Sequence, residues 1–191
     1  MDLYLIRHTR PQVEAGLCYG QLEVPLAPSC AEDCSVVATR LPAPEAVWTS
    51  PLARCRILAE AIGTHVGVVP VADERLRELG FGKWEGRHWK TIGRDESERW
   101  AVDYWNVSPP GGETYRELYE RVGLALAEIL ACHARRVAVV THAGPIRAAL
   151  ALCLELEPGR YPEIELDYGG ISLLRADGAR GAGWRLEYLN G

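Results

Sequence analysis

The sequence predicts an α/β fold, with a mostly parallel central sheet and helices on both of its faces. Apolar runs of strand length alternate along the chain with segments that carry apolar residues at helical spacing. Two of these runs, 4–6 and 137–140, lead into His8 and His142. Because ligands of parallel α/β proteins bind beyond the carboxyl ends of the strands, we expect the two imidazoles to meet in one crevice.

The individual elements follow from the apolar runs and from the residues that interrupt them. Strands are predicted at 3–7, 46–50, 66–71 and 137–141, with two more at a sheet edge, 171–175 and 184–189. A first helix runs from a cap at Ser29 to about Leu41, and a second follows Pro51 and ends at Gly63. Two longer apolar stripes predict helices over 113–132 and 145–156.

Residues 82–112 interrupt this alternation. They hold four of the six tryptophans and a turn rich in proline and glycine at 109–112. We expect a partly helical insertion over the sheet edge, in which the rings form the core of a small subdomain. The alternative, more specific interpretation is that the segment forms a lid over the substrate. No linker or repeat divides the chain, so we expect residues 1–191 to form one domain.

The composition is typical of a globular protein and argues against several classes of partner. Of the 191 residues, 48% are hydrophobic and 25% are charged, and the formal net charge of −5 disfavours broad binding of nucleic acid or membranes. We expect no signal peptide and no membrane span, since no apolar run approaches the roughly 20 residues that cross a bilayer. The six cysteines form no CxxC pair and no zinc-ligand spacing, which indicates reduced thiols in the cytoplasm.

Basic side chains follow three of the predicted strands. Arg7 and His8 end the first, Arg54 comes shortly after the second, and His142 precedes Gly144 at a predicted helix N-terminus. In a parallel sheet these groups converge at one edge. Two arginines, two histidines and a helix N-terminus suit a small, highly charged anion, above all a phosphoryl group.

These residues stand in motifs that together resemble the histidine phosphatase superfamily, the phosphoglycerate mutase-like proteins. The matching segments lie in the family's order and cover most of the chain: 7–8, 49–55, 76–86, 110–114 and 140–144. The resemblance implies a three-layer α/β/α domain and hydrolysis of a small phosphate monoester through a phosphohistidine. It implies no metal and no cofactor, and a small-molecule phosphate ester is the expected partner.

The resemblance also implies a role for each site residue. His8 is the nucleophile, held by a hydrogen bond from its other ring nitrogen to a backbone carbonyl, and Glu78 is the proton donor, with Glu74 and Glu85 as competitors. A bound phosphate raises the pKa of the donor carboxyl toward its acid form. The expected phosphate contacts are Arg7, Arg54, His142, Ala143, Gly20 and Gln21.

The chain departs from the family pattern at three positions of the first motif. Thr9 replaces the usual glycine, Pro11 a threonine, and Glu14 an asparagine that helps to bind phosphate. A carboxylate cannot replace that asparagine, so we expect the loop at 16–21 to supply donors in its place.

The start Arg-His-Thr and the later run 18–20, Cys-Tyr-Gly, resemble the α-ribazole phosphatase branch of the family, so α-ribazole 5′-phosphate is the most specific substrate expected. A broad phosphatase for sugar phosphates or phosphoglycerate remains open. So do a phosphoglycerate-type mutase and a non-catalytic binder of phosphorylated ligands. The oligomeric state is also open.

Overall fold

A six-stranded sheet forms the centre of the fold in a computed structural model that describes residues 1–157, 164–176 and 183–191. Its strands are β1 (Asp2–Arg7), β2 (Ala46–Thr49), β3 (Val71–Ala72), β4 (Arg136–Thr141), β5 (Ile171–Ala176) and β6 (Trp184–Tyr188). They lie in the order β3-β2-β4-β1-β5-β6. The first four run parallel, and β5 and β6 are antiparallel to their neighbours, which confirms the predicted mostly parallel sheet.

Helices cover both faces of this sheet. They are α1 (Cys30–Arg40), α2 (Ala53–Val66), α3 (Arg94–Val102), α4 (Tyr115–Ala131) and α5 (Ala143–Cys153). Alternate residues of β1 point to opposite faces, so Leu3 and Leu5 pack with α4 and α5, whereas Tyr4 and Ile6 pack with α1 and α2. The three-layer architecture is confirmed. No helix within the described part of the chain is long and apolar enough to cross a membrane.

The predicted third strand at 66–71 and the predicted end of α2 at Gly63 are both wrong. Helix α2 continues to Val66 and ends at Gly67, whose φ of 75° is the left-handed conformation that closes many helices. Gly63 lies inside α2, where a side chain would clash, since an added Cβ would come within 2.3 Å of the Val68 carbonyl oxygen. The apolar run 66–71 therefore divides between the last residue of α2, a turn and the first residue of β3.

Helix starts also differ from prediction in detail. Helix α5 begins at Ala143, two residues earlier than expected, with His142 as its N-cap residue, and it ends at Cys153 rather than at 156. The Ser29 hydroxyl does not cap α1; it donates to Asp33 instead, at 2.9 Å. Helix α4 begins with a capping box between Thr114 and Glu117.

The tryptophan-rich segment 82–112 is partly helical, as predicted. It contains α3 and two short 3-10 helices, and Trp84 is buried with Cys18 and Ile92 in a small core. Other rings of the segment border a cavity with Gly144, beside the carboxyl end of the central strand β4. The segment therefore stands next to the predicted site.

The two ends of this segment meet in a narrow neck. The Lys83 amide donates to the Pro110 carbonyl at 2.9 Å, and the Glu113 amide donates to the Gly80 carbonyl at 2.9 Å. Gly112 is required there, because an added Cβ would lie 2.3 Å from the Gly80 carbonyl oxygen. The 3-10 and α-helical turns of the segment thus begin and end at one place on the domain.

Candidate active site

His8 lies directly after β1, and the structure fixes both its tautomer and its charge. Its ring nitrogen Nδ1 is 2.8 Å from the Thr9 carbonyl oxygen, and because a carbonyl can only accept, Nδ1 carries the proton. Burial, with the charges of Arg54 and Arg7 adding to it, lowers the pKa of His8 to about 3. The imidazole is therefore neutral, and the lone pair of Nε2 is available for attack on an electrophile.

His142 joins His8 from the end of β4, which confirms that the two imidazoles meet. Their ring centroids are 5.1 Å apart, at an interplanar angle of 65°. His142 is fully buried, and burial together with the neighbouring His8 and Arg54 holds its pKa well below the usual value. The Ser50 hydroxyl lies 2.9 Å from Nε2 of His142 and accepts a hydrogen bond from the Leu52 amide, so the serine holds the ring in place.

Arg7 and Arg54 are held in place by backbone carbonyl groups. Arg7 donates to Leu166 at 2.6 Å, and Arg54 donates to Leu22 at 2.8 Å and to Gly20 at 2.6 Å. Neither arginine forms an ion pair with a carboxylate of the described residues, and the buried Nε atom of each has no hydrogen-bond partner among them. The two guanidinium groups form a fixed positive environment beside His8.

Glu78 is positioned at the N-terminus of α5. Its Oε1 accepts hydrogen bonds from the Gly144 amide at 3.0 Å and the Leu79 amide at 2.9 Å. An added Cβ on Gly144 would lie 2.3 Å from Oε1, so a glycine is needed for this approach. Of the competing carboxylates, Glu74 is exposed and paired with Arg77, while Glu85 accepts from the Gln21 and Phe81 amides.

Three predicted phosphate contacts occupy positions around this cluster. The Gly20 carbonyl accepts from Arg54, and the Gln21 side-chain amide donates to the Glu78 carbonyl at 2.9 Å. Gly20 thus braces the Arg54 guanidinium, and Gln21 holds the backbone of Glu78. Ala143 is the first residue of α5, where backbone N–H groups are available to an anion.

Family comparison agrees with this arrangement. The model of the histidine phosphatase superfamily (branch 1) matches residues 3–190. The chain belongs to the histidine phosphatase superfamily. A curated relative, "Probable phosphoglycerate mutase GpmB" from Klebsiella pneumoniae (strain 342), is 32% identical over 199 residues, which are 98% of this chain and 91% of that protein.

Two solved structures share the fold of this histidine phosphatase closely. Mycobacterial glucosyl-3-phosphoglycerate phosphatase Rv2419c superposes with a TM-score of 0.89 at 25% identity, covering 99% of this chain and 98% of its own. The alpha-ribazole phosphatase from Shigella flexneri also gives 0.89, at 24% identity, covering 100% and 96%. The predicted family and fold are confirmed, and the family supports a phosphatase-type enzyme.

A cavity of about 310 Å³ opens next to Glu78. Most of its lining is aromatic or aliphatic, and Glu78 and Arg147 are the charged residues among those that line it. Burial lowers the pKa of Arg147, whose Nε donates to the Ile164 carbonyl at 2.9 Å. The aromatic lining is contributed by Phe81, Trp100, Tyr104 and Tyr115.

Arg121 and Tyr168 escape prediction from the sequence, and Tyr19 is predicted only as part of the loop at 16–21. Arg121 donates to the carbonyls of Arg75, Arg77 and Glu78 at 2.7–2.9 Å and pairs with Glu113, so it holds the segment that carries the candidate proton donor. Tyr19 and Tyr168 lie against the arginines of the cluster. The residues around a tyrosine in a loop do not indicate which distant arginine its ring will contact.

Glu14, at the family's asparagine position, is exposed and borders an outer cavity with Tyr19 and Tyr168.

Proposed function

We propose that this protein hydrolyses small phosphate monoesters through a phosphohistidine on His8. The observation that carries the proposal is a neutral imidazole, oriented by the Thr9 carbonyl, between two arginines that form no ion pair with the described carboxylates. A cationic histidine could not attack phosphorus, and a freely rotating one would do so slowly.

The proposed reaction has two steps that balance in atoms and protons. In the first, Nε2 of His8 bonds to phosphorus, the P–O bond of the ester breaks, and protonated Glu78 gives its proton to the leaving alkoxide. In the second, water attacks the phosphohistidine, the Glu78 carboxylate takes a proton from that water, and the P–N bond breaks. Inorganic phosphate leaves, and both residues return to their starting states.

Arg7 and Arg54 supply the electrostatic stabilisation in this proposal. Charge accumulates on the equatorial oxygens of the transferring group, and fixed guanidinium groups meet those oxygens without reorganisation. His142 adds a neutral imidazole to this environment, because its burial beside His8 and Arg54 disfavours the cation. These side chains account for each step, so we propose a reaction that needs no metal. The described residues contain no group of three or more His, Cys, Asp or Glu that could hold one.

The cavity beside Glu78 favours a leaving group with a large apolar surface. Its rings could stack on a planar base, which supports α-ribazole 5′-phosphate as the substrate. A second class is favoured by Arg147, because a half-buried cation suits an ester whose leaving group carries a carboxylate, as a phosphoglycerate does. Glucosyl-3-phosphoglycerate phosphatase, a structural neighbour, acts on a compound of the second class by its name.

The decisive experiment compares wild type with His8→Ala in the presence of EDTA. We expect release of phosphate from p-nitrophenyl phosphate by wild type only, and an acid-labile, base-stable phosphoprotein on rapid quenching. The ratio of kcat/KM for α-ribazole 5′-phosphate to that for 3-phosphoglycerate then chooses between the two substrate classes. Equal turnover by the variant would refute the phosphohistidine.

Two rival functions give different results in the same experiment. A mutase would return phosphate to an added acceptor such as glycerate instead of releasing it to water. A non-catalytic member would bind phosphate esters with no turnover of any substrate.

A further inference from the structure

A pair of tyrosines lies over the two arginines of the candidate phosphoryl site. The ring of Tyr168 stacks on the Arg7 guanidinium at 3.7 Å and lies 5.5 Å from the His8 ring, and the ring of Tyr19 lies 5.2 Å from the Arg54 guanidinium. Their hydroxyl oxygens are 2.9 Å apart. A single hydrogen bond thus joins two residues 149 positions apart across the site.

Most groups of the site are almost inaccessible. His8 and Arg54, which the two rings contact, are each 1% exposed, and His142 beside His8 is 0% exposed, whereas Arg7 is half-buried. A phosphoryl group has to touch all three buried side chains, so whatever covers them has to move before an ester can bind. We propose that the Tyr19–Tyr168 hydrogen bond is a latch, which closes the phosphoryl site and parts to admit the phosphate ester.

The backbone at both tyrosines is fixed, which restricts opening to the side chains. Each tyrosine precedes a glycine that is tied to the site: the Gly20 carbonyl accepts from Arg54, and the Gly169 amide donates to the carbonyls of Arg7 and His8 at 3.1 Å each. Movement of either loop would break these bonds and release a site arginine or the nucleophile. Rotation of a tyrosine side chain leaves them intact.

The space for such a rotation exists beside both rings. Tyr19 and Tyr168 border a cavity of about 250 Å³ with Pro11 and Trp89, and Tyr168 also borders one of about 550 Å³ against α1. Either cavity exceeds the volume of a phenol ring. Arg10 lies 4.9 Å from the Tyr168 ring, on the side of these cavities, and can hold the ring by a cation–π contact after it moves.

The latch is tested by the accessibility of His8, which needs no turnover. The probe is diethyl pyrocarbonate, which acylates neutral imidazole, and modification of His8 is followed by peptide mass spectrometry relative to the exposed His133. Tyr19→Phe and Tyr168→Phe keep each ring and remove the shared hydrogen bond, and Tyr188→Phe on β6 is the matched control.

We expect each single variant to accelerate labelling of His8 about two- to tenfold, the equilibrium shift that loss of one net hydrogen bond produces. The double variant should label no faster than either single one, because both changes break the same bond. Unchanged labelling, or labelling that multiplies in the double variant, would overturn the latch. Equal acceleration in Tyr188→Phe would do the same.

Binding of inorganic phosphate supplies the second readout. A latch competes with the ligand, so both variants should bind phosphate about two- to tenfold more tightly than wild type. Weaker binding would mean that the hydroxyls serve as phosphate donors, and it would refute the latch. Failure of the phosphohistidine proposal leaves the labelling rates interpretable, so the two ideas fail separately.

Discussion

Replacement of Glu78 by glutamine separates the proton transfer from every other contact of that residue. The glutamine amide keeps an oxygen where Oε1 accepts from the Gly144 and Leu79 amides at 3.0 and 2.9 Å, so the side chain should stay in place. What is lost is the acidic proton. General acid–base catalysis contributes about 10²- to 10⁴-fold, equivalent to about 3–5.5 kcal/mol in the activation free energy.

The size of the loss should depend on the leaving group. An alkyl phosphate expels a strongly basic alkoxide and needs the donor, so kcat for a sugar phosphate should fall by the full factor. Expulsion of p-nitrophenolate needs little protonation, so formation of phosphohistidine from p-nitrophenyl phosphate should remain fast. Its hydrolysis should be slow, because the base for water is missing, and rapid-quench experiments should show the phosphorylated protein accumulating.

Two variants serve as controls for this prediction. Glu74→Gln alters an exposed carboxylate that pairs with Arg77, and it should leave both substrates unaffected. Glu85→Gln changes the carboxylate that receives the Gln21 and Phe81 amides. If Glu85→Gln, and not Glu78→Gln, shows the leaving-group dependence, the assignment of the proton donor is wrong.

Three further predictions concern the same cluster. Because the pKa of buried His8 is lowered to about 3 and an unfolded histidine titrates near 6.5, the unfolded chain binds the extra proton between these values. The free energy of unfolding should therefore decline as pH falls from about 6.5 toward 3. Urea titrations at several pH values should show that this free energy changes less with pH in His8→Ala than in wild type. An identical pH dependence in the two proteins would contradict the burial of a neutral ring. Gly144→Ala should reduce kcat at least about tenfold, because the new methyl group displaces the Glu78 carboxylate. The Tm should change little, since alanine favours the helix by about 0.5–1 kcal/mol. An unaltered kcat would show that the Glu78 carboxylate does not need its close approach to residue 144. Arg121→Met should lower the free energy of unfolding by about 2–3 kcal/mol in urea titrations, since it leaves three backbone carbonyls and Glu113 without their charged donor. A loss below about 0.5 kcal/mol would mean that Arg121 does not hold the segment that carries Glu78.

Local sequence could predict the strand-end residues of the site. Arg7 and His8 follow an apolar run, and they meet His142 if the two strands concerned are parallel neighbours. The structure meets this condition, because β1 pairs with β4 in parallel and Arg7 lies opposite Thr141. The motif around Glu78 could be placed in sequence, but its orientation depends on Gly144, 66 positions away.

Contacts between distant loops could not be predicted in this way. Tyr168 precedes β5 and meets Tyr19 and Arg7 only because β5 adds to β1 in the antiparallel direction, which returns the chain to the carboxyl end of β1. The misassigned strand at 66–71 has a local cause instead. Valines favour strands, yet α2 continues past its buried stripe and ends only at Gly67, where the left-handed conformation closes the helix.

The neck that closes the segment 82–112 leaves the part from α3 to Tyr104 as the portion that can vary. The ends of the segment are joined backbone to backbone through Pro110 and Gly80, and its first turns bond to the backbone of Gly16 and Cys18. The length and composition of the part from α3 to Tyr104 can therefore vary while the strands below keep their register. The segment supplies Trp100 and Tyr104 to the cavity beside Glu78, whereas His8, Arg7 and Arg54 lie outside it. Exchange of the part from α3 to Tyr104 would change which alcohols fit and leave the chemistry proposed for His8 as it is, so selectivity and reactivity could evolve separately.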